Sequence, residues 1–136
     1  MTESEIVYQI SEAYNRTWSI QQWWASISVG LLIISTVASD KLNIFIVALV
    51  VSLYSVFSFN LFMILTAINN VSSSYVADLH ALADSGHVLA NGSIAYADPG
   101  SEIGVALTLL ALIGTYLGCV IYFIYSFYRT KRGKNT

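Results

Sequence analysis

At 136 residues the chain has room for one domain, and its 56% hydrophobic and 10% charged content contrast with soluble averages of about 45–50% and about 25%. A soluble fold of this size could not hide so much apolar surface. The six Lys plus Arg against eight Asp plus Glu, a net charge of −2, leave no basic surface for nucleic acid.

The first nineteen residues read as an amphipathic helix. Thr2 with Glu5 has capping-box spacing, Glu12 and Arg16 form an i,i+4 pair, and Ile6, Ile10, Ala13 and Tyr14 make an apolar stripe. No Gly or Pro interrupts the chain before Gly30, so this helix either lies on the outer leaflet or, as the uninterrupted chain favours, continues into the first span as one long helix. Crossing about 30 Å of hydrocarbon takes about 20 helical residues. Three segments satisfy this without an Asp, Glu, Lys or Arg: Ile20 to Ser39, Leu42 to Ile68, and Ile103 to Tyr128. The acidic N-terminal segment has the wrong charge for a signal peptide, so the first span is expected to remain uncleaved.

Asp40 and Lys41 alone separate the first two spans, which predicts a tight hairpin with Ser39 or Asp40 capping the second helix. Residues 69–102 form the long loop. Within it Tyr75, Val76, Leu79, Leu82 and Ala83 repeat at helical spacing and Gly86 is a natural stop. That predicts a short helix, either separate or an extension of the second span. Asn91-Gly92 favours a turn, with Val88-Leu89 and Ile94-Tyr96 as the arms of a small hairpin. Asp98-Pro99 suits the start of the third helix.

Lys41, Arg129, Lys131, Arg132 and Lys134 fall on one side of this layout and Arg16 on the other. The excess of basic residues places the 129–136 tail in the cytoplasm and the N-terminus and long loop outside. The expected fold is therefore an all-α membrane protein of three transmembrane helices, N-terminus out, in a membrane of the bacterial inner (cytoplasmic) type. Trp18, Trp23 and Trp24 at one end, and Tyr122, Tyr125 and Tyr128 at the other, suit interfacial anchoring.

Several groups are candidates for function. His80, Asp84 and His87, spaced i, i+4, i+7, are the one candidate metal set, with Asp78, Asp98 and Glu102 as further ligands. Solvated side chains on an ordinary helix are the favoured explanation, because Gly86 should end the helix before His87. Asn60 lies inside the second span and should face another helix or a cavity. Ser28, Ser35 and Ser39, and Ala48, Ser52 and Ser55, form small-residue stripes on the first two spans. Gly104, Ala111, Gly114 and Gly118 form another on the third, so packing through that face is expected, within the protomer or between copies. Cys119 has no partner for a disulfide or a zinc cluster, and its apolar setting suits a small buried hydrophobe.

No nucleotide-binding, zinc-protease, nucleophile-elbow or paired-cysteine motif is present, and no cofactor is implied. The expectation is a non-enzymatic multi-pass protein acting through helix–helix association, as a homo-oligomer or as an accessory subunit of another membrane protein. An oligomeric pore, with a layout similar to one class of phage holins, is the alternative, and a metal-binding outer loop the weaker one.

Overall fold

The computed structural model describes residues 1–97 and 102–133, with side chains from 106 onward in the second stretch. Among them are four helices and no strand: α1 (Glu3–Val37), α2 (Ile44–Asp84), α3 (Asn91–Ala97) and α4 (Glu102–Gly133). At 1.5 Å per residue α1 is about 52 Å long and α2 about 61 Å, well beyond a bilayer's hydrocarbon thickness.

α1 begins at the expected capping box. Thr2 N–H donates to Glu5 Oε2 at 2.7 Å, while Glu5 N–H reaches Thr2 Oγ1 at 3.4 Å. Arg16 then pairs with Glu12 at 3.1 Å. With no breaker between them, the amphipathic segment and the first span are one continuous helix of 35 residues.

Asn43 caps α2, in place of the expected Ser39 or Asp40. It directly precedes the first helical residue, so its Oδ1 can accept the Ile46 N–H at 2.8 Å. α2 passes through Ile68 to Tyr75 unbroken. The helical pattern at Tyr75 to Ala83 is therefore the far end of α2 and not a separate loop helix. Gly86 adopts φ +93° just past the end of α2, a conformation that glycine reaches without a Cβ penalty.

The hairpin expected around Asn91-Gly92 does not form, because residues Asn91–Ala97 are the helix α3. A distant carboxylate caps it, as described below. The Asp98-Pro99 helix start lies outside the described residues.

Three helices are long and apolar enough to cross a bilayer: Glu3–Val37, Ile44–Asp84 and Ala106–Gly133, with mean hydropathy of 1.3, 2.2 and 2.2 in their most apolar windows. In α1 the apolar stretch begins near Ile20, and the segment before it carries Glu3, Glu5, Glu12 and Arg16. The chain forms two compact units. Met1–Gln21 with Leu61–Val105 is organised around Ile6, Ile10, Val76, Leu79 and Ala97. Gln22–Asn60 with Ala106–Thr136 is organised around Leu31, Val47, Tyr54, Cys119, Phe123 and Phe127.

Candidate functional site

The second unit is held by a polar seam inside an apolar bundle. Ser28 Oγ gives its proton to the Trp24 carbonyl at 2.9 Å, so the 2.7 Å contact with Tyr54 is donated by the phenol. By the same reasoning Ser55 donates to the Val51 carbonyl and accepts from the Tyr116 hydroxyl at 2.6 Å. The Tyr54 and Tyr116 rings stack with centroids 5.6 Å apart. Trp24 Nε1 donates to Ser58 Oγ at 3.1 Å.

α1 and α4 run parallel with a constant offset. Cys119 Sγ donates to the Ser28 carbonyl at 3.8 Å, Ser126 Oγ to the Ser35 carbonyl at 2.7 Å, and Thr130 Oγ1 to Ser39 Oγ at 3.1 Å. Each pair is 91 residues apart in sequence. Small side chains at matching steps of seven and four let two backbones approach until a hydroxyl can reach the neighbouring helix, contacts that lipid tails cannot supply. No buried side-chain nitrogen or oxygen among the described residues lacks a partner.

The predicted packing residues divide sharply. Ser28, Ser35, Ser39 and Ser55 lie in the seam, and Cys119 is buried as expected, 3% exposed. Ser52 and Asn60 are both exposed. Ala111 is exposed, and a Cβ at Gly114 or Gly118 would meet nothing within 4 Å. Among the described residues of α4 it is Cys119, Phe123 and Phe127 that turn inward, with Tyr116 and Val120 packed beside them. Bulky rings fill the space between three helices better than glycines do. Gly104 lies outside the residues whose side-chain surroundings are described. Trp24 is also corrected: it is buried in the seam and hydrogen-bonded, whereas Trp18 and Trp23 are exposed as interfacial anchors would be.

The first unit contains a carboxylate clasp. Glu3 Oε1 accepts the Ala90 N–H at 2.9 Å and Glu3 Oε2 lies 2.8 Å from His87 Nε2. The buried Ser93 hydroxyl is a third partner, and the three together hold the Glu3 carboxyl down at about 2 from an ordinary 4.5, with Ser93 contributing most. Ala90 immediately precedes α3, so the carboxylate caps that helix from the far end of the chain. This long-range cap offsets the turn preference of Asn91-Gly92. The Tyr14 and Tyr96 rings, 6.3 Å apart, add a contact between α1 and α3.

The clasp also redirects His87. His80 and Asp84 are exposed on the last turns of α2, while His87, beyond the Gly86 break, turns to Glu3. Among the described residues no three His, Cys, Asp or Glu side chains come together as metal ligands. Asp98 lies outside the described residues, as do the side-chain surroundings of Glu102. An open groove of about 770 Å³ runs beside the clasp, lined by Thr2, Glu3, Ser4, Val7, Tyr8, Ser11, His87, Ala90, Ser93 and Tyr96. Its one carboxylate is already committed to three donors. The groove therefore presents hydroxyls and an imidazole beside that carboxylate.

Glu3, Ser93 and the Trp24–Ser58 and Tyr–Ser pairs are not visible as a site in the sequence. The one available signal is the repeated spacing: Ser28, Ser35 and Ser39 match Cys119, Ser126 and Thr130 step for step. Comparison of the chain with protein-family models, curated proteins and solved structures finds no match.

Proposed function

We propose that this chain is a non-enzymatic, three-span integral membrane protein that works by lateral helix–helix association, as a homo-oligomer or as an accessory subunit of a membrane complex. One observation carries the reading. The protomer satisfies its own seam completely and leaves outside it the groups suited to meeting another helix, namely the exposed Asn60 amide and the bare Gly114 and Gly118 face of α4. Lipid tails give an amide no hydrogen bond, and they gain no more from a flat glycine surface than from leucine. The distribution of Lys and Arg supports an N-terminus outside and a cytoplasmic tail. The lack of charged residues within the spans argues against a charge-coupled pump.

Crosslinking in native membranes tests this. A discrete crosslinked species, with itself or with another membrane protein, is expected. Gly114→Ile with Gly118→Ile should leave the melting temperature of the protomer unchanged, because a Cβ at either position starts out in open space. A protein that stays monomeric at every crosslinker length would refute the reading. Rapid ion or dye leakage on expression would favour the pore alternative instead.

A further inference from the structure

The charges of this chain divide unevenly between its two units. The second unit, Gln22–Asn60 with Ala106–Thr136, carries Lys41, Arg129, Lys131, Arg132 and Lys134 against one acidic residue, Asp40. The other seven acidic residues belong to the first unit. Packing within the second unit gathers its cations at one end. Thr130 Oγ1 donates to Ser39 Oγ at 3.1 Å, so Arg129 and Lys131 stand level with the turn that follows α1. The Lys41 N–H donates back to the Ala38 carbonyl at 3.0 Å, which holds Lys41 at that level. Leu42 packs against the cluster that contains Phe127, and the Lys131 ammonium lies 5.2 Å from the centre of the Phe127 ring. Lys41 and Lys131 therefore border the same apolar cluster, although one follows α1 and the other ends α4. Lys41, Arg129, Lys131 and Arg132 are all exposed. Arg129 directly follows the third apolar stretch and Lys41 directly precedes the second, which is the depth of the lipid phosphates.

We infer that this end of the second unit binds anionic phospholipid headgroups in preference to zwitterionic ones. The inference goes beyond lateral association and stands on the spans alone. Successive residues of a helix are rotated by about 100°, so Arg129, Lys131 and Arg132 leave α4 in three directions. That spread suits headgroups surrounding the helix better than one acidic protein docked on a single face. The guanidinium forks of the two arginines match phosphate oxygens bidentately, and the lysine ammonium groups meet them as point charges. A phosphatidylcholine headgroup brings a cation of its own to these positions. Phosphatidylglycerol brings an uncompensated negative charge.

The test uses the full-length chain carrying Cys119→Ala and Tyr125→Cys, purified and reconstituted in symmetric phosphatidylcholine vesicles, where the direction of insertion does not matter. Tyr125 is 57% exposed and lies one turn inside Arg129 on the same face of α4. A bimane label at that position is quenched by whichever spin-labelled lipid stands beside it. At equal low mole fraction, spin-labelled phosphatidylglycerol should quench as though enriched about fivefold over spin-labelled phosphatidylcholine, the effect of one basic residue near an anionic surface. The preference should fall when salt is raised from about 0.1 M to about 1 M, and also when Lys41→Gln, Arg129→Gln, Lys131→Gln and Arg132→Gln are combined. Equal quenching by the two lipids would overturn the inference and leave the cations to topology or to an acidic protein partner. A preference undiminished in the glutamine variant would overturn it too, and one abolished by inorganic phosphate at constant ionic strength would reassign the site to free phosphate. Absence of quenching by either lipid would remove the spans on which it rests, and the inference with them.

Discussion

Replacing Phe123 with alanine gives a quantitative view of what holds the helices together. Phe123 is fully buried in the cluster with Leu31, Val47, Tyr54, Cys119 and Phe127. In a soluble core a Phe→Ala change costs about 3–5 kcal/mol, part from transfer to water and part from the cavity. Within a bilayer the displaced ring is exchanged with lipid and not with water, so the transfer part nearly vanishes and the packing part remains. With a vacated volume of about 100 Å³ and about 24 cal/mol per Å³, the cavity part is about 2.4 kcal/mol where the helices cannot close in. Partial collapse brings the expected loss to about 2 kcal/mol. The matched control is Ile121→Ala, two residues away and 63% exposed, which should cost under about 0.5 kcal/mol because its contacts are exchangeable with lipid. Equilibrium unfolding in mixed dodecylmaltoside and dodecyl sulfate micelles, followed by helical circular dichroism, measures both. Equal losses from the two variants would refute the placement of the α4 inner face.

Two further outcomes follow from the same geometry. A double-mutant cycle with Ser28→Ala and Tyr54→Phe should give a coupling of about 0.6–1.7 kcal/mol, the size measured for interhelical hydrogen bonds in membranes, and zero coupling would show that the 2.7 Å contact adds nothing. The Glu3 clasp should be sensitive to acid: because its folded carboxyl is depressed to about 2, its contribution is fully present above the ordinary value of 4.5 and fades as pH falls from there through about 2. Protection of the Ala90 amide against hydrogen exchange, taken relative to the unstructured rate at each pH, should fall over that window, and Glu3→Gln should show the low protection already at neutral pH. Equal exchange in wild type and variant would exclude the cap.

The spans were legible because long apolar runs without charge have few alternatives, and the Thr2–Glu5 and Gly86 boundaries were legible because their partners are local. Inward and outward faces of the spans were not. Lipid and protein interior are nearly equally apolar, so the hydrophobic pattern that orients a helix in water carries little information here. Gly114 and Gly118 illustrate this: their spacing suits close packing, yet Phe123 and Phe127 take the internal contact. In the first unit the pattern says more: Ile6, Ile10 and Ala13 of the predicted stripe are buried, while Tyr14, the fourth member, is exposed. α3 was missed because its cap comes from Glu3, 87 residues from Ala90, a distance that no local rule spans.

The three crossings with the N-terminus outside are tested most directly by cysteine accessibility. With Cys119 replaced by alanine, Val88→Cys, at a position 90% exposed, should react with a membrane-impermeant maleimide applied to intact cells. A cysteine added after Thr136 should react only once the membrane is permeabilised. Protection of Val88→Cys together with labelling of the tail in intact cells would contradict the orientation, and labelling of both from the same side would contradict three crossings.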